Sequence, residues 1–226
     1  MTSHAQALTD ENPHPIARPL LRGVLHQGAF FVAVGVGIVT VAFAQGVRAS
    51  VAAAIFAASV VTMLGVSALY HRVTWSPRTR PWMRRLDHAG IYLLIAGTYT
   101  PVGLLTVHGV LRNVVLAIVW GGAAAAIALK FIWVHAPKWL SAATALAVGW
   151  AGVAAMPQVV QHAGWAAFAL LAAGGVAYSV GAVVYALRRP DPIPSVFGYH
   201  ELFHALTLVA VSCQYVAIAF WVVRVG

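Results

Sequence analysis

Acidic side chains are nearly missing from this chain. Asp and Glu together number five, and charged residues of all kinds make up 8% of the 226 residues. A soluble globular domain carries about 25%, so a water-facing surface is excluded for most of the chain. Cysteine is scarcer still: Cys213 alone, inside an apolar run, excludes an intrachain disulfide framework. Beyond the first residues there is no polar stretch long enough for a soluble domain, and no internal repeat.

What is present is apolar. Hydrophobic residues reach 61% and the mean hydropathy is +0.83, the composition of a polytopic membrane protein. The formal charge of +9 does not point to nucleic acid. The basic residues stand beside apolar runs and form no aromatic-interleaved patch, so anionic lipid headgroups are the expected partner. Residues 1–19, with Pro13, Pro15 and Pro19, read as a flexible cytoplasmic tail. Residues 20–226 read as one membrane domain.

Seven apolar runs are long enough to cross about 30 Å of hydrocarbon: about 24–44, 51–71, 87–107, 113–133, 139–157, 165–187 and 198–222. The expected fold is therefore an all-α bundle of seven transmembrane helices. Of the 14 Lys and Arg, 11 fall on one side of this arrangement: Arg18, Arg22, Arg72, Arg78, Arg80, Arg84, Arg85, Lys130, Lys138, Arg188 and Arg189. Only Arg48, Arg112 and Arg224 fall on the other. The positive-inside rule then puts the amino terminus in the cytoplasm and the carboxyl terminus outside. Pro101 should kink the third span, because it removes one backbone hydrogen bond and crowds Gly97. Gly121-Gly122 and Gly174-Gly175 mark close helix packing.

Ionisable groups inside spans are costly and read as functional. His4 and His14 lie in the tail, His26 begins the first span, and His108, His135 and His162 lie in or beside loops; each reads singly as interfacial. The topology brings the others to one depth. His71 ends the second span, Asp87 and His88 open the third, and His200 and His204 open the seventh, all in the cytoplasmic leaflet. Four residues apart, His200 and His204 share a helix face. Three neutral imidazoles with an open fourth position describe a catalytic zinc site, with Asp87 placed to orient a water or take its proton. Ser67, four residues before His71, shares its face and can hydrogen-bond Asp87 or the water. Arg84 and Arg85 suit headgroup phosphates. His200-Glu201-Leu202-Phe203-His204 also fits the H-E-x-x-H pattern, which makes an intramembrane metalloprotease with Glu201 as base an alternative. That alternative ranks lower, since no later span supplies a third ligand.

Three motifs carry a family resemblance: Ser67-Ala68-Leu69-Tyr70-His71; Arg85-Leu86-Asp87-His88-Ala89-Gly90-Ile91-Tyr92, continuing through Ala96-Gly97-Thr98-Tyr99-Thr100-Pro101; and Gly198-Tyr199-His200-Glu201-Leu202-Phe203-His204. From about residue 20 onward the chain resembles the hemolysin III proteins, bacterial members of the progestin and adipoQ receptor family. The resemblance implies a seven-helix bundle in a bacterial plasma membrane, with zinc near the cytoplasmic face. It also implies that His71, His200 and His204 hold the metal and that Asp87 and Ser67 support them. The wider superfamily includes alkaline ceramidases, so it implies a metal-dependent hydrolase of lipid amide or ester bonds. Other readings are a receptor or stress sensor with a structural metal, and a membrane-lytic protein. The resemblance assigns no role to His88 or Glu201.

Overall fold

The computed structural model describes residues 19–225; the expected tail, apart from Pro19, lies outside them. The described residues are helical almost throughout: α1 (Val24–Phe43), α2 (Val47–Arg72), α3 (Arg80–Pro101), α4 (Gly109–Ile132), α5 (Lys138–Trp150), α6 (Met156–Leu187) and α7 (Tyr199–Ala217). Among them, six helical stretches are long and apolar enough to cross a bilayer. Lipid dictates this outcome, because backbone groups in hydrocarbon have no water to bond and must bond within their own helix. Phe31, Ile38, Val47, Ile118, Val183 and Phe220 are exposed, as side chains facing lipid would be.

The expected fifth and sixth spans lie within one 50-residue helical stretch, Lys138–Leu187. It does not run straight. Trp150 Nε1 donates to Ser179 Oγ at 3.0 Å, whereas 29 residues of straight helix would separate them by about 44 Å. The reversal is centred on Gly164, whose φ of 85° and ψ of 171° break the helix. Glycine alone occupies that backbone region without strain.

Two other boundaries differ from expectation. The third helix starts at Arg80, with Pro81 in its first turn, where a missing N–H costs nothing. Asp87 and His88 therefore stand two turns inside α3 and not at its end. Pro101 closes α3, and the chain continues as a π-helical turn over Val102–Thr106. That wider turn accommodates the backbone bond that proline cannot make.

Helices pack in chain order, α1 on α2, α2 on α3, α3 on α4, α5 on α6 and α6 on α7, with α1 also touching α7. Small residues set the closest approaches. A Cβ on Gly90 would stand 3.3 Å from Met63 Cα of α2, and one on Gly174 would stand 3.0 Å from the Ala210 carbonyl oxygen of α7. The core runs through Phe56, Val60, Leu64, Tyr92, Val119, Val159 and Ile218.

The start of α1 is fastened to the start of α7. Leu20 N donates to Ser195 O and Leu21 N to Val196 O, each at 3.1 Å. Arg22 is ion-paired with Glu201. Glu201 Oε2 also accepts from Gly198 N at 2.9 Å, which caps α7 at its third residue.

Candidate metal centre

α2 ends and α7 begins at the same end of the bundle, and their histidines meet there. The ligand-capable nitrogens of His71, His200 and His204 all lie within 4.8 Å of one another. His71 Nε2 and His200 Nε2 are 3.2 Å apart. Two nitrogens bound at 2.0–2.1 Å to one tetrahedral zinc stand about 3.3 Å apart, so this edge of the triangle already has the spacing a metal requires. His204 is buried, at 3% exposure, and its ring lies 4.5 Å from that of His200 and 5.1 Å from that of His71, centre to centre. Three rings from two helices offer only nitrogen donors. Such a set fits zinc and other borderline divalent ions.

Asp87 Oδ2 is 3.8 Å from His71 Nε2, so α3 delivers its carboxylate to the nitrogen edge of the triad. Ser67, 3% exposed, lies one turn before His71 on the same face of α2. The five expected site residues are thus brought together.

His26 joins them, against expectation. It is 2% exposed, its ring stacks on His204 at 3.9 Å and 11°, and its Nδ1 is 2.9 Å from Ser67 Oγ. Its Nε2 is buried and has no hydrogen-bond partner among the described residues. The sequence held part of the signal: the positive-inside argument that gathered His71, Asp87 and His200 puts His26 at the same end of the bundle, whereas its contacts depend on how α1, α2 and α7 pack.

Glu201 takes a different part. One carboxylate oxygen faces Arg22 and the other the Gly198 amide. Both contacts place the residue in the joint between α1 and α7. His88 points into the same end of the bundle, and its Nδ1 lacks a partner. His108 and His162 face each other at 4.5 Å at the opposite end.

The basic residues are less uniformly in loops than the sequence suggests. Arg85 Nε donates to the Phe131 carbonyl at 3.0 Å and its guanidinium lies over the Trp82 ring. Lys130, expected in the fourth loop, is in the last turn of α4 and 2% exposed.

A cavity of about 290 Å³ opens beside the histidines. His26, Ser67, Asp87, His88, His200 and His204 line one end, and Leu94, Thr98 and Val102 continue the wall along α3. From Asp87 to Val102 the wall runs about 22 Å at 1.5 Å per residue. The rest of the lining is mostly apolar, with Leu94, Leu146, Phe168 and Leu171 among it, and Thr98, Ser179 and Gln214 add polar groups.

Residues 14–215 match the family described as Haemolysin-III related. A hemolysin-3 homolog of Bacillus subtilis is 33% identical over 171 residues, 76% of this chain and 77% of that protein. The hemolysin-3 of Bacillus cereus is 32% identical over 176 residues, 77% of this chain and 76% of that protein. A heptahelical transmembrane protein, ADIPOR2, of Oryza sativa subsp. japonica is 32% identical over 184 residues, 73% of this chain and 79% of its own length. With six helices of spanning length and relatives in two Bacillus species, the chain is an integral membrane protein of a bacterial plasma membrane.

Proposed function

The chain belongs to the Haemolysin-III related family, and on that footing we propose a seven-span, zinc-dependent hydrolase of lipid amide or ester bonds. Its amino terminus is cytoplasmic and its carboxyl terminus outside. The reversal at Gly164 supports the seventh crossing, because it divides 50 helical residues into two segments of spanning length. A heptahelical relative in rice supports it too.

His71, His200 and His204 hold the metal. A divalent ion on three imidazoles lowers the pKa of a bound water to about 7 and polarises a carbonyl. The protein's own groups supply the rest. Asp87 Oδ2, 3.8 Å from His71 Nε2, takes a proton from the attacking water and returns it to the leaving nitrogen or oxygen. Ser67 Oγ, fixed by His26 Nδ1 at 2.9 Å, orients Asp87 or the substrate carbonyl. His26 lies flat against His204 and fixes the plane of that ring. The long apolar wall along α3 receives an acyl chain, for which about 22 Å exceeds the roughly 15 Å depth of one leaflet.

The observation that carries this reading is the meeting of three imidazoles and a carboxylate at the mouth of a deep, mostly apolar cavity. A competing reading, a sensor with a structural metal, draws on the fact that His71 and His200 would clamp α2 to α7. Lysis, printed in the Bacillus names, finds less support, since the lipid-facing side chains are apolar and carry no polar stripe.

The test is lipid hydrolysis. Zinc-loaded protein should release fatty acid from a ceramide or phospholipid panel. Asp87→Ala should keep its metal and lose about a hundredfold or more of the rate. His71→Ala should lose the metal itself. Absence of release by the metal-loaded wild type across the panel removes the enzyme and leaves the clamp; an unchanged zinc content in His71→Ala removes the site.

A further inference from the structure

The cavity that the histidines line also holds a charge that the hydrolase reading does not use. Lys130 is 2% exposed, and lysine is almost never so buried unless it is paired. Among the described residues no carboxylate pairs with it. Glu201 is taken by Arg22, Asp87 faces His71, and Asp191 Oδ1 accepts from Tyr199 N at 2.7 Å. The hydrogen bond found for its ammonium is to Ser141 Oγ, one acceptor for three N–H donors. Ser141 in turn directs its hydroxyl at the Pro137 carbonyl.

Its surroundings are positive as well. The Arg85–Phe131 bond sets the last turn of α4 against the first turns of α3, level with His88. The positive charges of Arg84, Lys130 and Lys138, one from each of α3, α4 and α5, all act on His88. Lys138 is bonded to Tyr199 Oη and lies over the Tyr185 ring at 4.9 Å, which holds it beside His200. Both Lys130 and His88 line the cavity, and His88 Nδ1 is buried without a partner among the described residues. A buried cation and an unpartnered nitrogen facing one space are the protein half of an anion site.

We infer that Lys130 and His88 form a subsite for a phosphate monoester carried by a lipid whose chain enters the cavity. A phosphate monoester suits it better than a carboxylate. It brings nearly two negative charges and three acceptor oxygens, enough for donors converging from more than one helix, whereas a carboxylate brings one charge and two oxygens. The subsite discriminates among lipids by headgroup. It does not depend on metal or on bond cleavage, so its failure would leave the hydrolase reading standing, and the reverse also holds.

Binding is read from the thermal unfolding midpoint of the detergent-purified full chain, titrated separately with dioleoyl phosphatidic acid, dioleoylglycerol and inorganic phosphate. Phosphatidic acid should raise the midpoint and dioleoylglycerol should not. Lys130→Met should fold at least as stably as the wild type, because it removes an unpaired buried charge, and should bind phosphatidic acid about tenfold or more weakly. Lys130→Arg should retain most of the affinity and serves as the folded reference if Lys130→Met does not purify; Ser141→Ala, which frees a Lys130 donor, should bind no more weakly than the wild type. A Lys130-dependent rise with inorganic phosphate alone would support the same subsite with a free anion as its source. An equal rise with dioleoylglycerol, an undiminished one in Lys130→Met, or loss of binding in Lys130→Arg would overturn it.

Discussion

His26 lies in the first turn of α1, and its immediate sequence neighbours form no motif. Singly, a histidine at the start of a span is an interfacial residue. What changes its meaning is a flat stack on His204 and a contact with Ser67, two residues on two other helices. Side chains that act on the metal ligands from behind are visible only when the helices are placed beside each other, whereas the ligands themselves announce their spacing. His26→Ala should therefore keep zinc stoichiometry, measured by elemental analysis, and lower either zinc affinity or lipid hydrolysis by about tenfold or more. Wild-type values in both would show His26 to be packing only. Lys130 was hidden for the related reason that a lysine near the end of an apolar run reads as a loop charge. Which face of α4 it occupies depends on where α3 and α5 lie, and sequence alone does not give that.

The helices were largely legible as elements, since twenty apolar residues in a row have few alternatives in lipid. Their ends were less so. Arg80–Leu86 contain three arginines and one proline and look like a loop, yet they form the first two turns of α3, made helical by Pro81 and by the Ser76–Thr79 turn before it. The joint of α1 with α7 was not legible at all. Gly23 there has a φ of 78°, and a Cβ on it would stand 2.7 Å from His71 Cβ. Gly23→Ala should cost about 1–2 kcal/mol from the backbone alone, and it should weaken zinc binding without altering any ligand. Arg22→Ala should be costlier. It leaves the Glu201 carboxylate, 1% exposed, without its cation, a loss of about 3 kcal/mol, while Arg22→Lys should recover part of it. Both are measured by the midpoint of thermal or denaturant unfolding in detergent.

For the whole molecule, the two ends differ in character, and the charge count anticipated this. One end gathers the histidine centre, Arg22, Lys130, Lys138 and the 188–198 loop; the other has the His108–His162 pair and the reversal at Gly164. The proposed orientation is tested by single cysteines in a Cys213→Ser background. On intact cells a membrane-impermeant maleimide should label Gln161→Cys and spare Ser76→Cys, and the opposite pattern would invert the protein. The bond between the beginning and the end of the chain has a further consequence, for synthesis. His26 leaves the ribosome about 175 residues before His200, so for most of its manufacture the bundle holds a histidine and an arginine, His26 and Arg22, whose partners on α7, His204 and Glu201, do not yet exist. The centre is closed only when α7 is made. A chain stopped before Tyr199 carries that polar surface permanently into lipid, and should be cleared by membrane proteolysis much faster than the full-length protein.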